Sequence, residues 1–182
     1  MRTVLVTGGI GSGKSLVSSF LAERGIPVYD SDSRTKALYE GPLLQRIEEA
    51  FGMSFRISDP SFQTSDPSFR TRSGISFAAL GRAAFASSES LALLESIVHP
   101  AVLSDFTAWK QAQSDVPFVA LESAIAMEKP LFDGAYDTVV LVYAPEQERF
   151  ARIRQRNPDL SDEDIRRRLD AQPPDGSPAK RG

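Results

Sequence analysis

The chain has 182 residues, a length that suits one compact domain, and its hydrophobic share of 41% is ordinary for a globular protein. Its net charge of −3 supplies no basic field, so we expect neither nucleic acid nor a membrane as a partner. It has no cysteine and one histidine, which excludes disulfides and thiolate chemistry and argues against a histidine-based metal cluster.

The first forty residues predict a strand, a loop, a helix, a second strand and the start of another helix. Residues 2–7 are apolar and β-branched, as in a buried parallel strand. The next helix is predicted to be amphipathic and to end near Gly25, and its apolar positions are Leu16, Phe20 and Leu21. Residues 26–30 predict the second strand, from which a loop leads into a helix at about Ser33. This order is typical of the opening of a doubly wound α/β domain.

The middle of the chain predicts mainly helices, one over residues 42–51 and others over 76–98. The residue before a proline is disfavoured in the helical conformation, so His99-Pro100 is expected to end that pattern before a further helix over 101–113. A tandem seven-residue repeat at 58–71 predicts a turn-rich surface insertion, to which we assign no function.

The last third of the chain predicts two more strands, at 117–122 and 138–143, and a helix over 145–156. Ser161 begins a capping-box pattern for a last helix that extends to about Gln172. Four strands with intervening helices predict a three-layer α/β fold with a parallel sheet.

The sequence gives no sign of export or membrane insertion. Its N-terminus lacks the long apolar region and cleavage site of a signal peptide. No apolar run approaches the roughly 18–20 residues of a membrane span. We therefore expect a soluble, cytoplasmic protein.

Residues 8–15, GGIGSGKS, match the phosphate-loop pattern G-x-x-x-x-G-K-[ST] between the first strand and the first helix. Glycines let backbone N–H groups turn toward phosphate oxygens, and the following helix adds the positive end of its dipole. Lys14 is expected to reach the β- and γ-phosphates, and the Ser15 hydroxyl to ligate Mg²⁺. The motif predicts a nucleotide ligand but leaves the reaction open.

Carboxylates follow two of the predicted strands, at the edge of the sheet where α/β proteins bind ligands: Asp30, Asp32 and Glu122. Asp32 could accept a proton from a substrate hydroxyl, or it could merely cap the helix that follows. Glu122 could act near Mg²⁺ or could simply meet solvent. Position alone does not decide between these alternatives.

Arg149, Arg152 and Arg156 share one face of a predicted helix. They could bring positive charge onto a transferring phosphoryl group, or they could form an ordinary solvated face. His99 could contact a substrate, although a lone histidine before proline is usually structural. Trp109 is expected in the core.

Six segments occur together in one characteristic order: TGGIGSGKS at 7–15, YDSD at 29–32, LESIVHPAV at 94–102, LESAIAME at 121–128, RIRQR at 152–156 and RLDAQ at 168–172. A phosphate loop followed by D-x-D after the next strand and by a downstream HP is much more specific than the loop alone. In these segments the chain resembles the dephospho-CoA kinases.

The resemblance implies Mg²⁺- and ATP-dependent phosphorylation of the ribose 3′-hydroxyl of dephospho-CoA, the last step of CoA synthesis. It implies that Asp32 is the base and that Thr7, Lys14 and Arg156 act at the transferring phosphate. The implied substrate residues are Asp32, His99 and Glu122, and Ser15 is the implied metal ligand. The implied ATP-binding residues are Gly9, Ile10, Gly11, Ser12, Gly13, Lys14, Ser15, Leu16 and Arg152.

The resemblance also implies how a single domain over 1–182 is organised: a core of about 1–40, 115–150 and 160–175, a helical acceptor region of about 41–114 and a lid of about 150–162. The family continues after RLDAQ with a fifth strand and a last helix, to which residues 173–182 offer no match. We therefore expect the sheet to lack an edge strand. A monomer is favoured.

Two alternatives stay open at this point. The chain could be another P-loop kinase that acts on a small molecule or nucleotide, or it could be a truncated, inactive homologue that only binds nucleotide. The sequence has no N-K-x-D motif and no D-x-x-G switch segment, which argues against a GTPase.

Overall fold

The structure is a computed structural model that describes residues 1–56 and 75–172. The tandem repeat at 58–71 and the segment 173–182, both discussed above, lie outside the described residues. The chain divides into two compact units, one formed by Met1–Asp32 with Asp105–Gly182 and the other by Ser33–Ser104. The single-domain organisation with its acceptor region and lid stays a prediction.

The first unit contains a four-stranded parallel sheet of order β2-β3-β1-β4. Its strands are β1 (Arg2–Thr7), β2 (Val28–Asp30), β3 (Phe118–Glu122) and β4 (Thr138–Leu141). The central strands β1 and β3 bury near-continuous apolar runs, as strands covered on both faces do. The predicted parallel α/β architecture is confirmed.

The helices in chain order are α1 (Lys14–Glu23), α2 (Ser31–Leu38), α3 (Pro42–Phe51), α4 (Phe77–Ala84), α5 (Ser88–Gln111), α6 (Glu146–Arg156) and α7 (Asp162–Asp170). A single 3₁₀ turn covers Pro130–Phe132. The α3 prediction is confirmed in full, whereas α7 ends two residues before the predicted Gln172.

The predicted apolar face of α1 is wrong. Leu16 is 76% exposed and Phe20 is 52% exposed, whereas Ser18 is buried. The helix leaves the phosphate loop directly against β1 and β3, and a small residue such as serine allows that close approach. The Arg24 guanidinium instead lies 3.3 Å from the centroid of the Phe20 ring and covers it.

The second unit has its own apolar core, in which Leu44, Ile47 and Phe55 are almost fully buried. An antiparallel bridge joins Arg56 to Ile75 next to this core. The bridge brings together the residues on either side of the undescribed segment 57–74.

The predicted helix break at His99-Pro100 is wrong, because α5 runs without interruption from Ser88 to Gln111 with Pro100 inside it. Proline removes one backbone hydrogen bond from a helix. Ile97, Val98 and Val102 are buried on both sides of it, and their packing outweighs that loss. Tertiary packing here overrides a local conformational preference.

By length and composition alone α5 could cross a membrane, so the expectation that no such apolar segment exists is too strong. Among the described residues it is the single helix of this kind. One such helix is a weak indication, because core helices of soluble proteins and signal sequences meet the same criteria.

Helices α6 and α7 pack on each other through a small apolar cluster of Ile153, Ile165 and Leu169. The side chain of Ile10 from the phosphate loop packs against this cluster. Ser161 caps α7 as predicted, since its Oγ accepts a hydrogen bond from the Asp164 N–H at 3.1 Å. The α6–α7 pair is thereby tied to the phosphate loop.

Candidate active site

The register of the sheet brings the predicted site residues to one edge. Glu122, the last residue of β3, lies opposite Val6 on β1 and opposite Asp30 on β2. The phosphate loop begins directly after Thr7, which ends β1. Ligands of open α/β sheets bind at this carboxyl edge, so the geometry supports the predicted location of the site.

The backbone of the phosphate loop accepts only glycine at its first position. Gly8 has a φ of +150°, and a Cβ atom built on it would lie 2.2 Å from the Val142 carbonyl oxygen. The Val142 N–H donates a 2.7 Å hydrogen bond to Thr7 O, which fixes that backbone in place. Glycine is therefore required at this position for steric reasons as well as for its conformational freedom.

Helix α1 begins at Lys14, and its N-cap residue Gly13 supplies no side-chain acceptor. The first-turn N–H groups of a helix lack intrahelical partners and attract anions. The Lys14 Nζ donates to the carbonyl oxygens of Gly8 at 2.8 Å and Gly9 at 3.1 Å. A cation and a set of N–H donors thus converge on this loop, which suits a phosphate chain.

Burial lowers the pKa of Lys14, and the positive charges of Arg149 and Arg156 act in the same direction. The carboxylates of Glu122 and Asp32 oppose that change. Two carboxylates and two arginines therefore act electrostatically on this one lysine.

Ser15 and Glu122 are in direct contact, since the Ser15 Oγ donates to Glu122 Oε1 at 3.1 Å. The Glu122 side chain is 9% exposed, and its backbone carbonyl accepts a 2.7 Å hydrogen bond from Ser31 Oγ. A hydroxyl and a carboxylate next to a phosphate loop are the oxygen donors that Mg²⁺ prefers. The described residues contain no cluster of three or more histidine, cysteine, aspartate or glutamate side chains suited to a metal.

Asp32 is exposed in the first turn of α2 and does not cap it. The helix begins at Ser31, without the predicted loop, and Asp30 Oδ1 accepts the hydrogen bond from the Asp32 N–H at 3.0 Å. Because Asp30 supplies this acceptor, the alternative that Asp32 merely caps the helix is wrong.

Arg152 and Arg156 line a cleft of about 730 Å³ beside the phosphate loop. Arg152 Nη1 donates to the carbonyl oxygens of Gly11 and Ser12, and its Nη2 pairs with Glu148 at 2.7 Å. Leu16 lines the same cleft from α1. Two of the three predicted arginines therefore line the cleft beside the loop, where phosphates are expected.

Arg149 is neither at the cleft nor on a solvated face, which were the two alternatives for it. Its side chain is 1% exposed and lies behind the loop. Its Nε donates to Ile10 O at 2.9 Å, and its Nη2 donates to Gln172 Oε1 at 2.9 Å. The sequence alone assigns no role to Gln172. The one feature of the sequence that points to this residue is the RLDAQ segment of the family resemblance.

Two hydroxyls at the site are buried without a hydrogen-bond partner among the described residues, those of Thr7 and Ser12. Buried polar groups are rarely left unsatisfied, so such groups call for an explanation. Their positions at the end of β1 and within the phosphate loop fit groups that would meet a ligand.

His99 lies half-buried on α5 in the second unit. Trp109 is half-buried and not in the core as predicted, and its ring lies 5.3 Å from the Tyr29 ring and is stacked on Phe106 at 6.1 Å. It is therefore a packing residue.

The parallel sheet, the phosphate loop after β1 and the lysine at the start of α1 define a P-loop nucleotide-binding protein. Comparison with known sequences narrows this class. The sequence profile of the dephospho-CoA kinase family matches residues 2–181. A dephospho-CoA kinase of Porphyromonas gingivalis is 36% identical over 184 residues, which cover 100% of this chain and 83% of that protein.

Two solved structures share the fold of this chain. The crystal structure of TT1252 from Thermus thermophilus matches with a TM-score of 0.74 and 30% identity, over 96% of this chain and 81% of that chain. The dephospho-CoA kinase of Campylobacter jejuni has the same fold, with a TM-score of 0.57 and 21% identity over 94% of this chain and 80% of that one. The chain belongs to the dephospho-CoA kinase family, which confirms the resemblance. It is therefore an ATP-dependent kinase.

Proposed function

We propose that this chain transfers the γ-phosphate of ATP to the ribose 3′-hydroxyl of dephospho-CoA, giving CoA and ADP. The observation that carries the proposal is the convergence of the phosphate loop, Asp32 and Glu122 at one sheet edge, in a chain of this family. No observation favours another acceptor or an inactive nucleotide-binding role over this one.

In the proposed reaction the acceptor oxygen forms a bond to the γ-phosphorus while the bond from that phosphorus to the bridging oxygen of ADP breaks. The hydroxyl proton goes to a carboxylate. Such transfers depend mainly on positioning and charge stabilisation. The residues below supply these two effects.

Lys14 and the loop amides bind the β- and γ-phosphates. The Lys14 Nζ now donates to two loop carbonyls, and in the complex it exchanges them for phosphate oxygens. Thr7 lies at the transferring phosphate, where its unpartnered buried hydroxyl gains an acceptor. The remaining loop residues, Gly9 to Ser15, and Leu16 enclose ATP.

Asp32 is the base that takes the hydroxyl proton. Its exposed carboxylate in the first turn of α2 is relieved of capping by Asp30. Its charge reaches Lys14, which binds the phosphate to be transferred. This electrostatic interaction supports a base that lies on the same side of the sheet edge as the phosphoryl group.

Ser15 and Glu122 would hold Mg²⁺ or its bound water, and their 3.1 Å contact supports this proposal because it brings two oxygen donors together beside the phosphate loop. Bound Mg²⁺ supplies positive charge to the phosphates during transfer. Glu122 also serves the acceptor side. Neutralising the Glu122 carboxylate by substitution with glutamine should therefore weaken Mg²⁺-dependent ATP binding.

Arg152 and Arg156 stabilise the charge that develops on the phosphates, from a segment that closes over ATP as a lid of about 150–162. His99 contacts the acceptor, which is the role that the family resemblance gives it. We further propose that the protein acts in the cytoplasm as a monomer, without nucleic-acid or membrane partners, in line with its net charge of −3.

Replacing Asp32 with asparagine tests the base assignment, because it keeps the size of the side chain and removes the proton acceptor. We expect ATP affinity within about twofold of wild type and a fall in the transfer rate of about 10²- to 10⁴-fold, the usual value of general-base assistance. Asp30→Asn is the matched control for a nearby loss of charge. An Asp32→Asn enzyme with wild-type turnover would exclude Asp32 as the base.

A further inference from the structure

Arg149, Gln172 and the backbone of Ile10 form a closed ring of hydrogen bonds. The Ile10 N–H donates to Gln172 Oε1 at 2.8 Å, and the Ile10 carbonyl accepts from Arg149 Nε at 2.9 Å. Arg149 Nη2 closes the ring by donating to the same Gln172 oxygen at 2.9 Å. Both polar backbone groups of one phosphate-loop residue are thereby fixed by side chains that lie far along the chain.

Arginines of α6 bind three consecutive carbonyls of the loop. Arg149 binds that of Ile10, and Arg152 Nη1 binds those of Gly11 and Ser12 at 3.2 and 3.0 Å. In a trans peptide the carbonyl and the next N–H point in opposite directions, and the described chain has no cis peptide. The carbonyls held toward α6 therefore turn the N–H groups of Gly11 and Gly13 away from it, whereas the Ser12 N–H donates to Gly9 O within the loop at 3.2 Å.

Steric contacts add to this fixation. A Cβ atom on Gly9 would lie 2.8 Å from Arg149 Nη2 and 2.9 Å from Gln172 Oε1. The ring thus fills the space beside the loop, and the side chain of Ile10 packs on the α6–α7 cluster. The loop cannot change its path without breaking several buried contacts.

The buried guanidinium of Arg149 is also unusual electrostatically. At 1% exposure it donates to two neutral oxygens, and within the described ranges no carboxylate forms an ion pair with it. Its positive charge helps to lower the pKa of Lys14, although the burial of Lys14 itself is the larger cause. A buried charge is costly to a fold, which favours a functional reason for its presence.

We propose that Arg149 and Gln172 are positioning residues for phosphoryl transfer, which hold the phosphate loop in the conformation that presents its amides to ATP. This inference rests on the proposed function and names residues that the family motif does not assign. Arg149 lies near the start of α6 and Gln172 follows α7, so the ring also ties both ends of the α6–α7 segment to the loop. Neither residue is proposed to touch the reacting atoms.

The test is ATP affinity measured directly by titration calorimetry, at a temperature at which circular dichroism shows each variant folded. Gln172→Met removes the shared acceptor and leaves the Ile10 N–H without a partner. We expect its Kd for ATP to rise on the order of tenfold, because ATP binding must then order a loop that the ring no longer holds, at a cost comparable to one lost hydrogen bond. Gln113→Met removes a side-chain bond to the Trp109 carbonyl away from the site and should leave the affinity unchanged.

A second arm uses Arg149→Met and the double variant. Because the three hydrogen bonds form one ring, the double variant should lose little more ATP affinity than Gln172→Met alone. The KM for dephospho-CoA should stay within about twofold of wild type in Gln172→Met. If Arg149→Met does not fold, the Gln172→Met comparison decides the matter by itself.

Wild-type ATP affinity in a folded but less stable Gln172→Met protein would overturn the proposal and leave the ring a purely structural contact. The proposed function alone would be overturned if the variants showed the expected pattern of ATP affinities but the wild-type protein bound ATP without phosphorylating dephospho-CoA. The two failures are therefore distinguishable.

Discussion

The close packing of the phosphate loop on α6 can be tested with two glycines of nearly equal φ. Gly11 in the loop has a φ of +75°, and Gly25 after α1 has a φ of +76°. A Cβ atom on Gly11 would lie 2.8 Å from the Arg149 carbonyl oxygen and 3.1 Å from its Cα, whereas one on Gly25 would meet nothing within 4 Å. Replacing each with alanine thus places a side chain at the same unfavourable φ but in very different surroundings.

The left-handed conformation costs an alanine about 1–2 kcal/mol, so Gly25→Ala should lower the free energy of unfolding by that amount. Gly11→Ala meets helix backbone that cannot rotate away, and such overpacking adds about 1–3 kcal/mol. We therefore expect a total of about 2–5 kcal/mol for Gly11→Ala. Pushing α6 away also moves Arg152, so this variant should lose ATP affinity while Gly25→Ala keeps it.

Urea unfolding followed by circular dichroism measures both free energies, and thermal scans should show a shift of about 2–4 °C per kcal/mol for a chain of this size. The effect of a glycine-to-alanine change on the unfolded chain is common to the two variants and cancels in the comparison. Equal destabilisation by the two substitutions would refute the argument that α6 lies directly against the loop.

Three further predictions concern stability. Because burial lowers the pKa of Lys14 from 10.5, the unfolded state binds more protons at alkaline pH up to about 10.5, and the free energy of unfolding should rise with pH there. Lys14→Met should abolish that rise in urea titrations. Burial raises the pKa of Tyr39 to about 12, so the folded state keeps a proton that the unfolded state loses above about pH 10. Tyr39→Phe should therefore remove on the order of 2–3 kcal/mol of the alkaline destabilisation, and an unchanged alkaline unfolding curve would contradict that burial. Ser161→Ala removes the cap of α7 and should cost about 1 kcal/mol by thermal unfolding, against less than about 0.5 kcal/mol for the exposed Ser19→Ala.

Features that depend on short stretches of sequence were predictable. The phosphate loop is specified by glycines that must avoid neighbouring backbone and by a lysine at the start of a helix, all within residues 8–15. The Ser161 cap acts within one helical turn and was likewise visible in the sequence. The parallel sheet followed from apolar runs of strand length at regular intervals.

Features set by distant contacts were not predictable. Pro100 lies inside α5 because buried residues on both sides hold the helix together, which a local preference cannot reveal. Arg149 has the spacing of a surface residue, but its partner Ile10 lies 139 residues away in the chain. The close approach of α1 to the sheet determines which of its faces is exposed. The spacing of its hydrophobic residues alone predicts the wrong face.

The most direct test of the proposed function is ADP formation from Mg-ATP by this chain, measured with and without dephospho-CoA and with Lys14→Met as the inactive control. The account predicts strong stimulation by dephospho-CoA, with CoA as the phosphorylated product and one ADP for each CoA. ADP formation that is independent of dephospho-CoA, or that yields no CoA, would contradict it.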